Sequence, residues 1–130
     1  MASVEMDSGD MDLGNWTTQL RKGLLELCIV NLLAQGELYG YDLVKKVTAI
    51  RGVVVTEGTI YPLLSRLRKA GLLDTRSEES PNGPARKYYR LTPAGEQTRE
   101  VMNACWRDIE IGLHSLIERG SSHDALDTGS

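Results

Sequence analysis

The 130-residue chain is expected to be mainly α-helical with one small β-hairpin. Three observations carry that expectation. Leucine, isoleucine and valine recur at helical spacing in four stretches. The period changes once, where "LLDTRS" and "ARKYYRL" flank the turn-forming "EESPNGP". Gly or Pro stands at the junctions.

Trp16 to Gln35 forms the first helix. Leu20, Leu24, Leu27, Leu32 and Leu33, with Cys28, Ile29 and Val30, cover more than one face, so the helix serves its own core and a further surface. "QGELYG" ends it at Gly36, a residue that tolerates the left-handed conformation. The second helix, Tyr41 to Ile50, turns Leu43, Val44 and Val47 inward and Lys45 and Lys46 outward. Thr56 is placed to cap the third. Pro62 lacks an N–H and clashes with the preceding turn, so that helix has to begin between Thr56 and Thr59; it closes at Gly71. In the two-stranded hairpin, Tyr89 and Leu91 face the domain while Tyr88 and Arg90 face away.

"LTPAGE" opens the last helix, with Thr92 as cap, Pro93 first and Glu96 in the first turn. Its apolar stripe of Val101, Met102, Cys105, Trp106, Ile109, Leu113, Leu116 and Ile117 carries it to about Glu118. Residues 1–13 are expected to form a flexible acidic tail, and residues 119–130, rich in Gly, Ser and Asp, a disordered one. Between them lie a domain over 14–92 and a helix over 93–118. Helix, helix, helix, hairpin, long helix is the winged helix-turn-helix plan, with the second and third helices as the turn unit and the hairpin as the wing.

Net charge is −3, which argues against nucleic acid until its distribution is considered. From Tyr39 to Thr92 ten Lys/Arg oppose five acids, a balance of +5; the rest of the chain holds −8. A basic middle in an acidic chain suits phosphates where its positive face is presented. Nothing approaches the roughly 18 apolar residues of a membrane span, and the N-terminus lacks the pattern of a signal peptide. Cys28 and Cys105 fit no metal or redox spacing and are expected to be reduced, buried thiols in a cytoplasmic protein. His114 and His123 have no ligand cluster, and no nucleophile or phosphate-loop motif is present; neither enzyme, cofactor nor metal is expected.

In a winged helix-turn-helix the third helix enters the major groove and the wing lies along the minor groove. Thr59, Tyr61 and Ser65 fall opposite the leucine face, with Arg66 and Arg68 flanking them. Arginine suits guanine because its fork meets two acceptors. Tyr41 and Lys45 on the second helix and Asn82, Arg86 and Lys87 at the wing complete the expected DNA-facing set. A solvated basic face and plain sheet packing are the alternatives for these residues.

"LLELCIVNLLAQGELYGYDLVKKV", "EGTIYPLLSRLRKAGLLD" and "GPARKYYRLTPAGE" together resemble the PadR family of bacterial transcriptional regulators, from about Leu24 to Glu96. The single C-terminal helix is similar to the family's short-form subgroup. The resemblance implies a homodimeric repressor bound to a pseudo-palindromic double-stranded operator, dimerised through its first and last helices. That agrees with the two surplus apolar surfaces, and it assigns Leu20, Leu24, Met102, Cys105, Trp106, Ile109, Leu113 and Leu116 to the interface. In some similar members a flat hydrophobic ligand lies against a tryptophan of the last helix. Trp106 matches that position, Glu110 lies one turn further, and Gly23 and Leu27 face them from the first helix. Trp106 as a simple interface anchor is the alternative. The alternative function is a winged-helix module that docks a protein and binds no DNA.

Overall fold

The computed structural model describes residues 12–129, with side chains described to residue 121. The expected tail therefore lies, over residues 1–11, outside the described residues. Seven elements follow one another: α1 (Leu13–Leu33), β1 (Leu38–Tyr39), α2 (Gly40–Thr48), α3 (Glu57–Lys69), β2 (Leu73–Ser80), β3 (Gly83–Leu91) and α4 (Pro93–Gly129). The architecture is the winged helix-turn-helix with a long C-terminal helix. No described helix is long and apolar enough to cross a membrane.

Helix α1 starts three residues before Trp16 because Asp12 caps it, its carboxylate accepting from the Asn15 N–H at 3.0 Å. Residues 12 and 13, expected in the tail, thus belong to the helix start. Leu25, Ile29, Val30 and Leu33 are buried, and with Leu43, Val44 and Val47 of α2 and Ile60, Leu63, Leu64 and Leu67 of α3 they form the core. Each fully buried aliphatic side chain contributes about 1.5–3 kcal/mol. Thr56 caps α3 in extended geometry, but its hydroxyl makes no capping bond. Pro62 sits inside α3 and leaves the Gly58 carbonyl, one turn back, without its usual donor. Gly71 takes φ +83° where the chain leaves α3.

The sheet has three antiparallel strands in the order β1-β3-β2, not two. Strand β1 pairs Leu38 with Tyr89 and Tyr39 with Tyr88. Two residues are too few for a periodic signal, so the strand shows only through its partner. Where "EESPNGP" was expected to separate the strands, the connection is a tight one at Pro81 and Asn82, since β2 runs to Ser80 and β3 starts at Gly83. Pairing shifts between Glu78↔Arg86 and Ser80↔Gly83, so β3 carries one residue more than β2 there. Pro84, which cannot donate to the ladder, lies in that bulge. Gly40 lets α2 approach β3: a Cβ there would meet the Tyr89 ring at 3.2 Å.

Thr92 joins the wing to α4. Its hydroxyl accepts from the Gly95 N–H at 2.9 Å and donates to the Gly71 carbonyl at 2.7 Å. A Cβ on Gly95 would lie 2.1 Å from the Leu72 carbonyl oxygen, so only glycine fits. These contacts correct the expected domain boundary at Thr92/Pro93: the chain divides into a unit ending at Arg99 and one beginning at Glu100. Helix α4 also continues to Gly129, where residues from 119 onward were expected to be disordered. No proline follows Pro93, and a glycine such as Gly120 costs a helix only about 1 kcal/mol.

Candidate nucleic-acid interface

At roughly 100° per residue, α3 presents two polar flanks on either side of its leucine face. Tyr61, Ser65 and Arg68 share one flank; Thr59 and Arg66, seven residues apart, share the other. The sequence reading grouped Thr59 with Tyr61 and Ser65, but the structure separates them.

The first flank meets the wing. Tyr61, Ser65 and Arg68 line a groove of about 230 Å³ with Thr75, Lys87 and Tyr89. Arg68 donates from Nη1 to Thr75 Oγ1 at 3.3 Å, fixing its guanidinium toward β2. Burial pushes both the Tyr89 and Tyr61 phenols above their ordinary range, with Glu57 adding to the effect at Tyr61. Both hydroxyls therefore stay protonated, as hydrogen-bond donors, through neutral pH. Tyr61 is exposed and Tyr89 buried, so Tyr89 forms the floor of the groove and Tyr61 its rim.

The second flank meets α1. Arg66 pairs with Glu26, and its side chain remains 65 % exposed. Thr59 lines a separate groove beside Thr18, Arg21 and Lys22 of α1. Neither residue joins the groove under the wing.

Alternation along β3 sends Arg86 and Lys87 to opposite faces. Lys87 lines the groove with α3. Arg86 lies over the Tyr39 ring, 5.1 Å from its centroid. Tyr39 in turn stands 5.6 Å from Tyr88 and 6.2 Å from Tyr41, and Lys45 lies 5.3 Å from the Tyr41 ring. The sequence reading missed Tyr39, Tyr88 and Arg76 in this ladder. Arg76 stacks at 4.5 Å on Tyr88 and is held by Glu37 at 2.8 Å and Glu78 at 3.2 Å. Its bond keeps the Glu37 carboxyl below the ordinary carboxylate range, and Glu37 and Glu78 in turn raise the Arg76 guanidinium above its own. The short β1 is what brings Tyr39 to Tyr88, so the signal was hidden with the strand. Asn82 occupies the exposed tip.

The expected ligand and interface residues lie in two units. In the first, Gly23 has open space where a Cβ would be, Leu24 and Leu27 are half-buried and Leu20 is exposed. In the second, Trp106 and Met102 are half-exposed, while Cys105, Ile109, Glu110, Leu113 and Leu116 are exposed. Cys28 is half-buried, and burial raises its thiol above the ordinary range. The exposure of Cys105 in the single chain corrects the expectation of a buried thiol. Among the described residues no group of three His, Cys, Asp or Glu could hold a metal.

Comparison with known proteins adds to this geometry. The model of the transcriptional regulator PadR-like family matches residues 29–101. Transcriptional regulator Rv3488 of Mycobacterium tuberculosis is 35% identical over 107 residues, covering 82% of this chain and 94% of the relative. A PadR-like transcriptional regulator from Bacillus cereus has a similar structure, with TM-score 0.69 and 37% identity over 76% of this chain and 96% of the other. A PadR family regulator from Eggerthella lenta reaches TM-score 0.70 at 32% identity, covering 82% and 92%.

Proposed function

Since the chain belongs to the PadR-like family of transcriptional regulators, we propose that it is a homodimeric repressor. It grips an operator with α3 and the wing and is released by a small hydrophobic or aromatic effector. One observation carries the DNA-binding part. Tyr61, Ser65 and Arg68 of α3 share a groove with Thr75 and Lys87 of the wing, so the recognition helix and the wing present one polar, basic edge. Side chains of this kind both position a helix on phosphates and read base edges. Tyr41, Lys45, Asn82 and Arg86, on α2 and the other face and tip of the wing, and Thr59 and Arg66, on the far flank of α3, would meet the DNA on either side of that edge.

Dimerisation is supported by the uncovered apolar residues. Leu20 is 46% exposed, and Ile109, Leu113 and Leu116 are 48%, 51% and 62% exposed in the single chain. A two-fold dimer through Leu20, Leu24, Met102, Cys105, Trp106, Ile109, Leu113 and Leu116 would cover them and place two α3 helices about 34 Å apart, one turn of DNA. Trp106 and Glu110, with Gly23 and Leu27, would receive the effector as a planar molecule stacked on the indole.

A gel shift with the duplex upstream of the chain's own coding sequence, at low and high salt, tests the reading. Strong binding that falls with salt, and is lost in Arg86→Ala/Lys87→Ala, is expected. No binding at low salt would instead favour a module that docks another protein.

A further inference from the structure

We propose a second DNA-backbone contact on the far flank of α3, in which Arg21 and Lys22 of α1 grip the sugar–phosphate strand opposite the one met by the wing. This rests on the DNA-binding reading above and extends it to residues outside the expected contact set. A groove of about 390 Å³ lies on that flank, lined by Arg21 and Lys22, the run Val53, Val54 and Val55, and Thr59 of α3. Arg21 donates from Nε to the Gly52 carbonyl at 3.0 Å, which ties its guanidinium to the loop leading into α3. No carboxylate among the described residues pairs with Arg21 or Lys22, whereas Arg66 on the same flank is already held by Glu26.

Two features point to a DNA strand as the occupant. The first is the mixture of surfaces. Val54 is 73% exposed beside two cations and three threonines, Thr18, Thr56 and Thr59. A bare anion has no use for valines, while a sugar–phosphate strand alternates apolar deoxyribose faces with phosphates. The second is position. A helix about 10–12 Å across fills a major groove about 12 Å wide, so it lies between two strands. Arg68 and Lys87 stand on one flank of α3, and Arg21 and Lys22 stand on the other. A recognition helix with cations on both flanks meets both walls of the groove.

The test measures equilibrium binding of the upstream duplex over a salt series for wild type, Arg21→Gln/Lys22→Gln and Arg68→Gln/Lys87→Gln. Each phosphate contact contributes about 0.9 to the slope of log affinity against log salt. The Arg21/Lys22 variant is expected to lose about 1.8 from the slope per protomer, with base preference unchanged. Between about 50 and 200 mM salt, wild type should then lose about twelve-fold more affinity per protomer than this variant. Neutral methylphosphonate linkages placed along each strand probe the same contact on the wild-type protein, independently of whether the variant folds. Some of them should weaken wild type and leave the Arg21/Lys22 variant unchanged. Wild-type binding with an unaltered slope in that variant would overturn the second contact alone. No wild-type binding at all would overturn the DNA reading itself. Thermal melts of the free protein with inorganic phosphate and with hexanoate complete the test. Stabilisation by either one that the variant loses, with equal salt slopes, would reassign the groove to a small anion.

Discussion

The unit ending at Arg99 and the helix from Glu100 onward are written in the same periodicity but treat it oppositely. Ile60 and Leu64 of α3 are 0% exposed, whereas Leu113 and Leu116 of α4 are 51% and 62% exposed. Spacing of three and four residues establishes a helix and its apolar face. It does not say what covers that face. In the first unit, α1, α2 and the wing cover it; in the second, Leu113 and Leu116 stand exposed. Covered faces hold a fold together, and uncovered ones mark where a second molecule belongs.

The largest test of this contrast is Leu64→Ala, which opens a cavity in a filled core and is expected to destabilise the protein by about 2–5 kcal/mol in denaturant unfolding. If the α4 stripe is covered by a second copy, Leu113→Glu/Leu116→Glu should weaken the dimer by roughly 3 kcal/mol, about a hundredfold. Sedimentation would then show monomers at micromolar concentration; an unchanged mass in wild type and variant alike would break the contrast. Gly95→Ala forces a methyl toward the Leu72 carbonyl and is expected to cost about 1–3 kcal/mol in thermal melts. The smallest effect comes from Glu37. Arg76 lowers its carboxyl pKa in the folded protein, so the contribution is complete above the ordinary value of about 4.3 and fades as pH falls through the lower folded value. Glu37→Gln should flatten the acid limb of a Tm–pH curve slightly, because the pair is exposed.

Much of the fold was legible because its signals are local. Thr92 with Pro93 marked the start of α4, Gly36 and Gly71 marked helix ends, and the leucines of α3 identified its buried face. Strand β1 was not legible, since two residues carry no period and its stability comes from β3. The tyrosine ladder was lost with it, because Tyr39 meets Tyr88 only through that pairing. In the candidate site, Ser65 and Lys87 could be named one at a time, but their shared groove depends on how the wing folds back on α3. Nothing local in the sequence singles out Arg21 and Lys22, and only the path of the loop over 53–55 puts them beside Thr59.

The wing's register has a consequence for how such a chain can change over time. Arg86 faces Tyr39 and Lys87 faces α3 because regular alternation along β3 from the buried Tyr89 sets which side each residue takes. Adding or deleting one residue between Lys87 and Tyr89 would not merely lengthen or shorten the wing. It would exchange its two faces, sending the guanidinium to the groove and the ammonium to the tyrosines. Lengths that differ by two keep each charge on its own side. Length variation between the two cations and Tyr89 is therefore a matter of parity, with even steps tolerated and odd steps rewriting which charge faces which side.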